Sequence, residues 1–299
     1  MFIKINICEE LFEYIKKCFA EKQPLGQALH RKVMNLFRQY LIIGGMPKVV
    51  DTFRKTKDFE KVERQKQLII NLYRDDIQKY SKGYSAKVKA IFDEIPNQLK
   101  NQNRHFKLAS IEENARFKDF EEPLFWLDDA MIVNNCYNSS EPNIGLGLNK
   151  DRNILKCYMA DTGLLLSLAF NENGNISKEI YKKNLLDKLE INLGMIIENV
   201  VSQMLTASNH KLYFFTSNSH INKNDRMEID FLISKKNITN RHNINPIEVK
   251  SSKNYTLTSL KKFKTKYKEY VGTCYVIHPE DFTIKEDIIF LPIYMTLLL

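Results

Sequence analysis

Over residues 9–42 apolar side chains recur every three or four positions. In "EELFEYIKKCF" Leu11, Phe12, Ile15, Cys18 and Phe19 fall on one stripe, and "HRKVMNLFRQYLII" repeats the spacing, which predicts helix. The paired glycines and proline of "GGMP" (44–47) end that run. A polar, charged helix is predicted over about 58–80. The next one, "SAKVKAIFDEIPNQL", starts at a Ser N-cap candidate and is expected to bend or end before Pro96. The segment 112–138 reads as a helix running into a strand, and "NILKCYMADTGLL" (153–165) as the returning strand followed by a tight Asp-Thr-Gly turn.

Residues 171–183, "NENGNISKEIYKK", are polar and predict a linker or loop. Beyond them the pattern changes. A helix, "LLDKLEINLGMIIENVVSQMLTAS", precedes strands at 211–217, 227–234 and 246–252. A second helix at 256–270, opening on Thr/Ser cap candidates, and a strand at 272–278 follow. The expected class is α+β: a helical, winged-helix-like N-terminal region, then an αβββαβ domain with a mixed sheet. The expected divisions are a helical segment over 1–59, a winged-helix-like domain over 60–170 and the αβββαβ domain over 171–299.

Composition adds limits. With 43% hydrophobic and 27% charged residues, the 299-residue chain is ordinary for a globular protein and long enough for two domains. "GLLLSLAF" (163–170) is far short of the ~18 apolar residues of a membrane span. The N-terminus has no signal-peptide pattern. Cys8, Cys18, Cys136, Cys157 and Cys274 are scattered, without C-x-x-C spacing, which argues against a zinc site or disulfide framework and fits a reducing cytoplasm.

The net charge is +9, and its distribution is uneven. Residues 211–270 hold thirteen Lys/Arg and five Asp/Glu, 13 − 5 = +8. This excess predicts a polyanionic partner, DNA first, with Lys253, Lys261, Lys262, Lys264 and Lys266 as contacts. Residues 112–129 are the reverse, with two bases against seven acids, 2 − 7 = −5, so phosphate is repelled there. That region reads as a packing or protein-contact module.

The chemistry concentrates in two strands. In "EIDFLI" Ile229, Phe231 and Ile233 alternate with Glu228, Asp230 and Leu232, and in "NPIEVKSS" Ile247 and Val249 alternate with Glu248 and Lys250. If the two strands pair across the turn-rich 234–245, Asp230 lies near Glu248 and Lys250. Two carboxylates on adjacent strands suit a hard divalent cation, Mg²⁺ or Mn²⁺, and a lysine beside them can offset charge on a phosphate oxygen or orient water. Glu198 is the lone acid beside the apolar stripe Ile197, Val200, Val201 and Met204; it needs a metal or Lys250 as partner if buried. Taken singly, Glu-x-Lys on a strand is more often a solvated face, Asp230 can cap a turn and Glu198 can bridge to a surface lysine.

The ordered set of helix Glu, strand Asp, strand Glu-x-Lys, basic helix and strand resembles the PD-(D/E)XK nuclease superfamily, although Ile229 stands where a proline often precedes the Asp. More specifically, "YLIIGGMPKVV", "LKCYMADTGLL", "LGMIIENVVSQML", "EIDFLI", "PIEVKSS" and "FLPIYMTLL" resemble landmarks of the uncharacterised C-terminal domain of prokaryotic AAA-type ATPases, grouped with those nucleases. The resemblance implies a restriction-endonuclease-like fold with Asp230, Glu248, Lys250 and Glu198 as the catalytic set. Asp230, Glu248 and Glu198 would be its metal ligands. It also implies a separate ATPase or self-association as partner. The chain has no G-x-x-x-x-G-K-[ST] loop, so neither an ATP site nor ATP hydrolysis is expected of it. A non-catalytic DNA- or protein-binding module of the same fold is the alternative.

Overall fold

The computed structural model describes residues 9–101, 105–142, 145–170, 193–217, 225–234, 243–252 and 254–299. The helices are α1 (Glu9–Glu21), α2 (Gln27–Ile43), α3 (Pro47–Thr56), α4 (Phe59–Tyr80), α5 (Ser85–Lys100), α6 (Glu121–Asp129), α7 (Thr162–Phe170), α8 (Leu193–Ala207) and α9 (Thr258–Lys266). The strands are β1 (Val133–Ser139), β2 (Lys150–Met159), β3 (Tyr213–Ser217), β4 (Met227–Ser234), β5 (Ile244–Val249), β6 (Cys274–His278), β7 (Thr283–Lys285) and β8 (Ile288–Pro292). The protein is therefore α+β, and among the described residues its strands form one mixed sheet in the order β2-β1-β3-β4-β5-β6-β8-β7. The predicted linker at 171–183, the first residues of the helix that leads into α8, and Cys8 lie outside the described residues.

Two compact units are present, each discontinuous in sequence. The first holds the described residues of 1–9, 33–135 and 156–203, the second those of 10–32, 136–155 and 204–299. In the first, α4 packs on α3, α5 and α7, and α5 packs on α6. The stripe that α4 turns inward includes Val62, Ile70 and Ile77, at the helical spacing that puts one face on a core. Asp58 caps α4, accepting hydrogen bonds from the Glu60 and Lys61 amides.

Two expectations about α5 are corrected, an end before Pro96 and a Ser N-cap. The helix runs through Pro96 to Lys100, and its N-cap is Tyr84, with no side-chain cap bond. Ile95, Pro96 and Leu99 are buried together, so apolar burial outweighs the hydrogen bond that proline cannot donate. Similarly, α9 stops at Lys266 instead of 270, and its cap is Leu257 with no side-chain bond, so the Thr/Ser cap candidates are not used.

Within the first unit "GGMP" meets "ADTGL". Asp161, immediately before α7, accepts from the Leu164 amide at 2.9 Å and from the Gly45 amide at 2.6 Å. Burial pushes the Asp161 carboxyl up, against the opposing pull of those amides and of Lys66. Lys66 is wholly buried, with its Nζ 2.8 Å from Glu63 Oε2 and 3.0 Å from the Ile42 carbonyl. Gly163 lies against the Ile43–Gly44 backbone, so close that a Cβ would stand 2.6 Å from Gly44 N and Ile43 O. Packing thus accounts for both motifs.

In the second unit β3–β4 and β4–β5 pair antiparallel, whereas β5–β6 and β6–β8 pair parallel. Helix α9 packs on β4. Its Leu260 and Phe263 join Phe215, Ile229, Leu232, Val276 and Ile288 in one buried cluster. The expected hairpin strands β1 and β2 are neighbours, but β1 also pairs parallel with β3, so they extend the large sheet.

Candidate functional site

The site is built by β4 and β5. Phe231 pairs with Ile247 and Leu232 with Pro246, which leaves Asp230 and Glu248 as the next positions on the two strands, and the Asp230 and Glu248 charges both act on Lys250. The residues predicted to adjoin therefore do so. The segment that would connect these strands, 235–242, lies outside the described residues.

On its other side β4 carries a bulge. Tyr213 pairs with Leu232 and Phe215 with Ile229, so two steps on β3 (215 − 213) oppose three on β4 (232 − 229). The extra residue falls at Asp230–Phe231. A bulge bends its strand and re-aims a side chain. Here the Asp230 carboxylate turns to β5, where its Oδ2 accepts the Val249 amide at 2.8 Å. The neighbouring Lys250 amide donates to the Ile277 carbonyl on β6 at 2.8 Å. The Glu-x-Lys segment is thus held from both sides.

Glu248 is buried, and its Oε2 lies 2.6 Å from Lys250 Nζ. Burial pulls the Lys250 ammonium's pKa down, but the charges of Glu248 and Asp230 and the hydrogen bond to Glu248 outweigh it, so the pKa is raised overall. Lys250 is consequently a persistent cation at neutral pH. Tyr255 interacts electrostatically with it, and the Tyr255 hydroxyl stands 3.3 Å from His278 Nδ1. Neither Tyr255 nor His278 carries a sequence signal, because the contact depends on how the segment after β5 folds back.

Glu198 belongs to the first unit and is fully buried there. Its Oε1 accepts from the Tyr158 hydroxyl and lies 3.3 Å from Lys156 Nζ. The expected partner was a metal or Lys250; the partners found are on β2, from "LKCYM". Next to it Asn199 acts as a clamp, accepting from the Met159 amide at 2.8 Å and donating to the Met159 carbonyl at 3.1 Å. Gln203 continues the row, accepting from the Thr162 amide and hydroxyl. The landmark "ENVVSQ" thus reads as a polar seam along one helix face. Alternating Lys156 and Tyr158 was its available signal, since both point to one side of a strand.

Of the expected nucleic-acid contacts, Lys261 and Lys266 are exposed on α9 and Lys262 and Lys264 half-buried. Lys261 is ion-paired with Glu286 at 2.7 Å, and the Lys266 ammonium stands 5.7 Å from the Tyr267 ring centre. Lys253 lies outside the described residues. Among the described residues no group of three or more His, Cys, Asp and Glu side chains is placed to hold a metal ion, and no helix is long and apolar enough to cross a membrane.

Two families match the chain. Residues 34–175 match a domain of unknown function (DUF8612), and residues 193–296 match a second domain of unknown function (DUF4143), a type often found with AAA ATPases. No curated protein and no solved structure matches.

Proposed function

We propose that residues 171–299 are a restriction-endonuclease-like, PD-(D/E)XK module that hydrolyses phosphodiesters of DNA with Mg²⁺ or Mn²⁺. Residues 60–170 are read as a winged-helix-like contact module, the chain as cytoplasmic, and a separate ATPase as the partner. The observation that carries this reading is the meeting of Asp230 with Glu248 and Lys250 at a strand bulge. The order α8–β3–β4–β5–α9–β6 and its pairing directions support the αβββαβ core.

The donor set fits a hard divalent cation, because both acids offer carboxylate oxygens from adjacent strands. Asp230 and Glu248 would hold it, and when bound it supplies charge for a phosphate oxygen and an acidified water. The Val249 amide fixes the Asp230 carboxylate in place. Lys250, held protonated, acts as a fixed positive charge toward a phosphate oxygen and not as a base. Glu198 is placed outside the chemistry in this reading, as a positioning residue for β2 through Lys156 and Tyr158. The α9 lysines neutralise backbone phosphates.

A second reading, a non-catalytic DNA-binding module, is favoured by the 2.6 Å pair of Lys250 with Glu248, in which the chain's own cation already neutralises one carboxylate. Plasmid nicking with Mg²⁺ and with Mn²⁺ separates the two. Cleavage by wild type that disappears in Asp230→Ala and Lys250→Ala supports the enzyme; equal cleavage by all three proteins removes it. Salt-sensitive DNA binding without cleavage selects the second reading.

A further inference from the structure

A cleft of about 240 Å³ in the first unit is lined by Tyr73, Asp76 and Tyr80 of α4 together with Trp126 and Asp129 of α6. The spacing explains why these five share one space. Tyr73, Asp76 and Tyr80 stand at i, i+3 and i+7, and Trp126 and Asp129 at i and i+3, so each helix presents ring and carboxylate on one face. The Tyr73 ring is anchored through its hydroxyl, which reaches Met46 Sδ at 3.9 Å. Tyr80 is 58% exposed, which leaves the rim open to solvent.

Three aromatic rings and two carboxylates attract the same thing, an organic cation. The ring quadrupole is negative over its face, and no basic residue lines the cleft. An anion would be repelled, and a neutral aromatic ligand would leave the two acids unused. Tyr80 already takes an ammonium within its own chain, since Lys79 Nζ sits 4.7 Å from its ring centre. A flat, weakly hydrated guanidinium stacks on rings and bonds carboxylates at once, which an ammonium does less well. The surrounding segment strengthens the case: residues 112–129 carry a balance of 2 − 7 = −5, a field that draws a basic polypeptide.

We propose that this cleft is a docking site for an arginine side chain of a partner polypeptide. The inference is independent of the nuclease reading, because it concerns other residues and needs neither metal nor nucleic acid.

Trp126 is the chain's single tryptophan, so its emission reports on the cleft alone. The full chain is titrated with acetyl-Gly-Arg-Gly-amide, with the citrulline tripeptide of the same shape and no charge, and with tetramethylammonium, all at matched ionic strength. A saturable change with the arginine peptide and none with the citrulline peptide is expected. Asp76→Asn combined with Asp129→Asn should weaken binding roughly fivefold, two exposed ion pairs being lost. Circular dichroism verifies the fold, and Tyr80→Ala is the second variant should the double substitution disturb it. Equal response to citrulline, no saturation, or unchanged affinity in the folded variants overturns the proposal. Binding of tetramethylammonium without binding of the arginine peptide overturns it as well.

Discussion

Gly163→Ala sets two physical effects against each other with opposite signs. Gly163 lies in the first turn of α7, where alanine is favoured over glycine by about 1 kcal/mol from helix propensity alone. Tertiary contact opposes this. The new Cβ would stand 2.6 Å from Gly44 N and from Ile43 O and 2.7 Å from Gly44 Cα, all of them backbone atoms with no rotamer to escape into. Ordinary contact begins at 3.4 Å, so the two segments must separate by 3.4 − 2.6 = 0.8 Å. The Gly45 amide is one residue away, and its 2.6 Å bond to Asp161 would open to 2.6 + 0.8 = 3.4 Å, past the useful hydrogen-bond range. Overpacking costs about 1–3 kcal/mol, and weakening a buried bond to a carboxylate about 1.5–3 kcal/mol. After subtracting the propensity gain, the net loss is about 1.5–5 kcal/mol, a large part of the roughly 5–15 kcal/mol that stabilises a domain. Urea unfolding followed by far-UV circular dichroism and Trp126 emission measures it. A midpoint unchanged or raised would refute the close-packing argument, since propensity alone predicts a gain.

Three further outcomes are expected. Glu198→Gln keeps an acceptor for the Tyr158 hydroxyl but takes a buried counter-charge from Lys156, so unfolding free energy should fall by about 3 kcal/mol; an unaltered urea curve would mean that the pair is not structural. Lys250 has a raised pKa when folded, so its contribution to stability is complete below the unfolded value of about 10.4 and is lost as pH rises through the folded value. The stability gap between wild type and Lys250→Met should accordingly hold up to the unfolded value and shrink as pH rises above it, and a gap constant with pH in urea titrations contradicts the assignment. In DNA binding, Lys262→Ala or Lys264→Ala should lower the log–log salt slope by about 0.9, whereas Lys261→Ala should lower it less because Glu286 already neutralises that lysine; slopes unchanged from wild type in all three would exclude α9 from the contact.

What was legible in the sequence was periodicity. The stripe that buries Ile15 and Cys18 and the alternation in β4 and β5 are set by side chains a few positions apart. Local geometry suffices for them, because 3.6-residue and 2-residue repeats decide which side chains share a face. That reasoning placed Asp230 beside Glu248 and Lys250. It failed at Pro96, where burial of Ile95 and Leu99 overrides a local rule.

Tertiary structure alone decided the rest. The bulge at Asp230 exists because β4 must satisfy β3 and β5 at once, and no single strand records both registers. Glu198 found Lys156 and Tyr158, some forty residues earlier, and Gly163 found the backbone of Ile43 and Gly44. Burial obliges a charge to be paired, and a sequence shows that obligation without naming the partner. The partner follows from which distant segments close on one another, and so does the aromatic cleft, whose two faces lie on helices about fifty residues apart.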